Sequence, residues 1–145
     1  MDDIQRLLAR QAIQDTLVRY AHALDSRQTE LFDDVFLADA DLDYTAAGGI
    51  RGDRAALRGW LGTAMARFDS WQHLLSNFII DTDGETATTT TSCYNPLQGR
   101  HADGSGHVVH TGCHYLDQLR KTPAGWRITK RTLVLDWTDP TDVVG

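Results

Sequence analysis

Apolar residues between positions 2 and 24 recur mostly at steps of three and four: Ile4, Leu7, Leu8, Ile13, Leu17, Tyr20, Ala21 and Leu24. Such spacing returns to one side of a 3.6-residue helix and predicts a long amphipathic helix with a single buried face. The pattern stops at Asp25-Ser26-Arg27. Leu31, Phe32, Val35 and Phe36 then outline a short second helix over residues 29–36, opened by a capping side chain. Residues 42–46 read as a short strand ending at Gly48-Gly49. Leu57, Trp60, Leu61 and Met65 mark a third helix over residues 53–68, with Asp53 as its N-cap and with Gly59 and Gly62 weakening it.

After Ser70 the period changes. Residues 71–81, 86–98, 107–120 and 126–137 are rich in Thr, Val, Ile, Tyr and Trp, the residues that suit a pleated, half-buried surface. The run Thr86 to Thr91 is low in complexity, yet β-branched threonine favours a strand there. Asp83-Gly84, Ala102 to Gly106 and Lys121 to Gly125 carry turn residues, so the four strands form an antiparallel meander. Helices first and strands afterwards give an α+β fold in one domain, with residues 139–145 as a loose tail. Folding about Asp83-Gly84 sets His73 opposite Tyr94, and folding about Asp103 sets Cys93 opposite Cys113. A slip of one residue would exchange the faces.

Composition narrows the function. The 145 residues hold 14 Lys and Arg against 20 Asp and Glu, a formal charge of −6, and 41% are hydrophobic. A chain of this size buries enough surface to need no disulfide or metal for its core. Without a Lys/Arg-rich run, a nucleic-acid or anionic-membrane partner is not expected. The acidic start Met1-Asp2-Asp3 and the lack of a long apolar run predict neither a secretory signal nor a membrane span, and a cytoplasmic location follows. Two cysteines without CxxC spacing read as small core thiols.

Three helices over one face of a strongly twisted sheet leave a cavity on its concave side. Four residues from separate elements approach it: Asp25 and Tyr20 on the first helix, Tyr44 on the short strand, and His73 on the first long strand. Each has an ordinary alternative. Asp25 could cap the short helix, His73 could be a satisfied core histidine, and the tyrosines could be core rings.

The combination Tyr20-x4-Asp25, Leu42-Asp43-Tyr44 and Gln72-His73 resembles the SnoaL-like group of the nuclear transport factor 2-like superfamily. Within it, the likeness is to the branch of scytalone dehydratase, bile acid 7α-dehydratase and hexachlorocyclohexane dehydrochlorinase. It extends from Tyr20-Ala21-His22-Ala23-Leu24-Asp25 to the closing Gly125-Trp126-Arg127-Ile128 hairpin. The resemblance implies one SnoaL-like domain over residues 1–145: a cone-shaped curved antiparallel sheet on three N-terminal helices, also described as a cystatin-like α+β barrel. It implies a catalytic dyad of Asp25 and His73, with Tyr20 and Tyr44 beside it. Scytalone dehydratase has a further cavity histidine where this chain has Asn95-Pro96. His110 falls where that enzyme places a serine, with an exposed hairpin histidine as its alternative, and Arg131 at a cavity-facing position that could hold a substrate carboxylate or phenolate, with a solvated strand arginine as its equal alternative. Tyr94, Asn95 and Trp60 complete the expected substrate-binding set.

The chemistry of the dyad stands on its own terms. A neutral imidazole is a competent base near neutral pH, and a carboxylate on its other N–H fixes the tautomer and stabilises the imidazolium formed on proton uptake. No motif sets a nucleophilic Ser or Cys beside His73, so proton abstraction is favoured over acyl transfer. Tyr20 or Tyr44 would donate a hydrogen bond where negative charge develops. His110 and His114 share a strand face but lack the company of a zinc site, so no metal is expected. The expectation is a cofactor-free dehydratase-like lyase acting on a hydroxylated cyclic or aromatic small molecule. The alternatives are an isomerase or polyketide cyclase using the same cavity, and a scaffold module like the β subunit of a ring-hydroxylating dioxygenase. An apolar outer sheet face near Val134 and Trp137 predicts a homo-oligomer, a trimer by resemblance to the dehydratases or a dimer by resemblance to others.

Overall fold

The computed structural model describes residues 1–140; of the expected tail, 141–145 lie outside the described residues, and Asp139 belongs to the last strand. Helix α1 (Asp3–Asp25) opens with Asp2, whose carboxylate accepts from the Gln5 backbone while the Gln5 side chain accepts from the Asp2 backbone. This reciprocal box satisfies two N–H groups that the first turn would leave unpaired. Ile13, Leu17, Tyr20 and Leu24 form its buried stripe, but Ile4, Leu7 and Leu8 are exposed. The first two turns lie beside the turns at Gly84 and Gly125 without being covered, so the apolar period there does not report a core contact.

The expected second helix is a 3₁₀ turn, Thr29–Asp34, and Phe36 already begins strand β1 (Phe36–Asp43). That strand is longer than the expected one and starts six residues earlier. Its small and acidic residues have little strand propensity; pairing along β7 (Gly125–Asp139) holds it, with Leu42 opposite Arg131. The pairing is parallel, so the sheet is mixed and the antiparallel expectation is corrected at this edge. After a 3₁₀ turn at Thr45–Ala47 and the two-residue β2 (Arg51–Gly52), α2 (Arg54–Met65) starts where Asp53 accepts from the Ala56 N–H at 2.9 Å.

The short β3 (Ser70–Trp71) and β4 (Leu74–Thr82) both pair with β5 (Thr86–Arg100), which continues through β6 (Gly106–Thr122) to β7. The sheet order is β2-β1-β7-β6-β5-β3 with β4 also on β5. The threonine run is strand, as its β-branching predicts, and Cys93 pairs with Cys113 as the turn at Asp103 requires. At the other turn the register differs: Leu74, not His73, faces Tyr94. Asn77 adopts a left-handed φ of 52° where the pairing shifts between Ser76 and Ile79. Such irregularities, repeated in β7 opposite Gly112 and Gln118, bend strands and deepen twist, giving the sheet its concave inner face. No helix among the described residues is long and apolar enough to cross a membrane.

Candidate active site

The C-terminal end of α1 is tied to the corner between β3 and β4 by three hydrogen bonds. The Trp71 indole donates to the Leu24 carbonyl at 3.0 Å. One Asp25 oxygen accepts from the His73 backbone N–H at 2.9 Å, and the other meets His73 Nδ1 at 2.8 Å. Asp25 thus clamps both the main chain and the ring of one residue, and the capping alternative falls away because the following 3₁₀ turn has Gln28 at its N-terminal boundary. The His73 side chain is only 5% exposed, against 31% for Asp25. With the carboxylate taking the Nδ1 proton, the ring is the Nδ1–H tautomer, and the Nε2 lone pair is left available.

His73 lines a cavity of about 390 Å³ between α2, the Thr45–Ala47 turn and the concave sheet face. Its wall is mostly apolar and includes Trp60, Leu61, Met65, Phe68, Leu97 and Leu133. Trp60 packs edge-on to Tyr44, with centroids 5.8 Å apart, and against Gly49. A Cβ at Gly49 would lie 2.6 Å from the indole, so only glycine admits the ring at this depth.

The closed end of the cavity carries Tyr20, Tyr44 and Tyr115, all buried. Arg131 Nη1 donates to Tyr44 Oη at 3.3 Å, and Tyr44 donates to Tyr20 Oη at 2.7 Å. Because Tyr44 spends its proton on Tyr20, the Tyr20 proton is available for a molecule in the cavity. The Tyr20 ring lies edge-on to His73, centroids 6.3 Å apart, so base and donor face the same volume. Burial pushes the Tyr20 hydroxyl well above the usual phenol range, and the neighbouring Tyr44 adds to this. The opposing pull of Arg131 does not win. Burial likewise raises Tyr44 and Tyr115. Tyr20 therefore stays a neutral O–H donor.

Arg131 points inward from β7 but does not line the cavity, and the expectation of a direct substrate contact is corrected. Its Nε and Nη2 bond the two oxygens of Asp117 at 2.7 and 2.8 Å, and its guanidinium carbon sits 4.4 Å from the Tyr20 centroid and 4.1 Å from that of Tyr115. At 1% exposure it is sealed under the tyrosines, acting on the cavity through them rather than by direct contact.

Tyr94 and His110 are also corrected. Alternation along β5 and β6 turns Cys93, Asn95, Val109 and Thr111 away from the face that carries them, and neither residue reaches the cavity. On the outer face Tyr94 Oη and His110 Nδ1 lie 2.7 Å apart, and Tyr94 stacks near Trp137. Asn95 does line the cavity, with its Nδ2 held by the Gln72 carbonyl at 2.7 Å. The two cysteines are free and buried, and Cys113 forms part of the wall. A hydrogen bond from Cys113 draws the Cys93 thiol down to about 7, while the same contact pushes Cys113 up.

Sequence reasoning did not find Asp117, Tyr115 or Arg67. Tyr115 shares strand parity with Cys113, and Asp117 is an acid inside an apolar strand. Both signals become readable only once the partner strand is known to bring Arg131 opposite. Among the described residues no three His, Cys, Asp or Glu side chains gather as metal ligands.

Residues 5–132 match the family described as SnoaL-like domain. The protein Rv2910c of Mycobacterium tuberculosis is 37% identical over 131 residues, covering 90% of this chain and 88% of its own. Among solved structures, the Kfla4162 protein of Kribbella flavida superposes with a TM-score of 0.86 at 16% identity, over 96% of this chain and 98% of that one. The hexachlorocyclohexane dehydrochlorinase LinA-type3 of Novosphingobium barchaimii LL02 gives 0.77 at 16% identity, over 94% and 92%. At these identities the structural matches speak to fold: nuclear transport factor 2-like, with a helix packed on a mixed, curved sheet.

Proposed function

This chain belongs to the SnoaL-like domain family, and from that membership together with its buried dyad we propose that it is a cofactor-independent lyase. The reading is that it eliminates water from a hydroxylated cyclic or aromatic molecule held in the apolar cavity. The single observation that carries it is the 2.8 Å contact of His73 Nδ1 with Asp25 at the wall of an open, largely apolar chamber. His73 Nε2 takes a proton from the carbon next to the one bearing the hydroxyl. The C–H electron pair becomes the new C=C bond, and the C–O bond breaks. Tyr20 donates its hydrogen bond to the departing oxygen, and the proton held by the imidazolium completes the water. Asp25 stabilises the imidazolium between these events, and burial excludes competing solvent.

Relatives named as dehydrochlorinases share this fold, which supports elimination as the reaction type. A scaffold role is disfavoured by a dyad in direct contact beside an unfilled cavity. The isomerase reading draws on the Arg131-Tyr44-Tyr20 relay, since a hydroxyl backed by a buried cation suits an enolate oxygen as well as a leaving group. Product mass separates the two: a panel of hydroxylated polycyclic ketones and phenols should yield a product lighter by one water, absent with His73→Ala. Conversion without change of mass overturns elimination, and undiminished turnover in the variant overturns the dyad. The proposal includes a homo-oligomer, supported by the exposed Leu74, Tyr94, Leu116 and Trp137 on the outer face. Light scattering that reports a monomer would overturn that part.

A further inference from the structure

The cavity has two chemically different ends. Its closed end is the tyrosine floor with His73, and its open end is bordered by Arg67 and Phe68, in the connection that follows α2. Among the described residues Arg67 is the one fixed charge on the wall, and no Asp or Glu lines it. Arg67 is exposed, so solvent carries its charge, yet it borders a wall that otherwise holds no fixed charge. Its Nε leans on the Ala64 carbonyl at 3.4 Å, an orientation suited to a helix C-terminus, and this leaves the two terminal nitrogens without a partner among the described residues. Asp69, two positions on, is already paired with Arg100 at 3.2 Å and does not neutralise it.

We propose that Arg67 is a specificity residue that selects substrates carrying a carboxylate at the end of the ring system opposite the reacting centre. A guanidinium held by Nε presents its other two nitrogens as a planar fork that matches a carboxylate. The same cavity is lined by Leu97, Val109, Leu133 and Leu135, with Asn95 and Thr111 as polar breaks, which favours a largely apolar body. The substrate class is then an amphipathic acid: apolar rings in the middle, a hydroxyl toward Tyr20 and His73, and the acid group at the mouth. This inference rests on the reading of the cavity as a substrate chamber.

Calorimetric titration with naphthalene-2-carboxylate and its neutral amide tests it without needing the true substrate or turnover. At pH 8 and low ionic strength the wild-type protein should bind the acid roughly 5- to 10-fold more tightly than the amide. Arg67→Gln should bring the two affinities together by weakening the acid alone, and about 0.5 M salt should narrow the wild-type ratio, since an exposed cation is screened. His73→Ala should keep the preference, which separates Arg67 from the dyad as the partner of the acid. A ratio near one in the wild-type protein, or a ratio that survives Arg67→Gln, overturns the assignment of Arg67. Failure to bind either probe overturns instead the chamber reading on which it rests.

Discussion

Among the described residues there are two histidine–aspartate pairs with nearly the same contact distance. His73 Nδ1 lies 2.8 Å from Asp25 on the inner side of the sheet, and His114 Nδ1 lies 2.9 Å from both oxygens of Asp136 on the outer side. Distance does not distinguish them; surroundings do. The inner imidazole is 5% exposed and faces a chamber floored by tyrosines, whereas His114 and Asp136 are 28% and 42% exposed and do not line that chamber. In water a hydrogen-bonded carboxylate adds little to an imidazole and a bound molecule has nowhere to sit, so the outer pair is a surface contact. The inner pair has the same atoms in a place where a substrate can displace solvent, and location makes it a site.

The contrast is sharpest in activity. His73→Ala should reduce turnover by about 10³- to 10⁴-fold, the upper range of a general base, while His114→Ala leaves it unchanged; steady-state assays of the two variants side by side check this. In stability, Arg131→Met strands the buried Asp117 carboxylate and should lower the unfolding free energy by roughly 3–5 kcal/mol in denaturant titrations. Asp136→Asn on the exposed outer pair should shift it by less than about 1 kcal/mol. Asp25→Asn keeps the shape of the inner pair but not the charge that stabilises the imidazolium, and a loss of about 10²- to 10⁴-fold in kcat is expected, with Asp136→Asn again silent. Tyr20→Phe removes the donor without touching the base, and about 10-fold in kcat should go with it.

Alkaline stability probes the floor that only the inner pair possesses. Burial raises the folded-state values of Tyr20, Tyr44 and Tyr115, so the unfolded chain releases their protons first. Their contribution is fully present below about pH 10 and is lost as pH rises beyond it toward the folded values. Thermal unfolding followed from pH 8 to 11 should show the midpoint falling above about pH 10, and less steeply in Tyr20→Phe.

The parts legible in the sequence were those governed by local rules. The capped helices, the threonine strand and the Cys93–Cys113 register follow from period, capping and turn chemistry. The association of Asp25 with His73 was readable only through resemblance, because the two are joined by a contact across the fold. What was not legible depended on long-range pairing. The parallel seat of β1 on β7 cannot be read from residues 36–43, which propensity alone would not call a strand. A single left-handed residue, Asn77, shifts β4 against β5, and, independently of it, alternation along β5 and β6 sets Tyr94 and His110 outside. Arg131 carried the right direction and the wrong depth, since nothing in its own neighbourhood announces that Asp117 will hold it beneath the tyrosines. Ile4, Leu7 and Leu8 keep the helical period although all three stay exposed.

The central claim is that Asp25 holds His73 as the Nδ1–H tautomer, with Nε2 free toward the cavity to act as base. Long-range ¹H–¹⁵N correlation NMR of the imidazoles, at a pH where they are neutral, reads this directly. A His73 ring protonated on Nδ1 with an acceptor-type Nε2 is expected, with loss of that fixed tautomer in Asp25→Asn while the His114 signals do not move. A His73 ring protonated on Nε2, or one indifferent to Asp25→Asn, would contradict it.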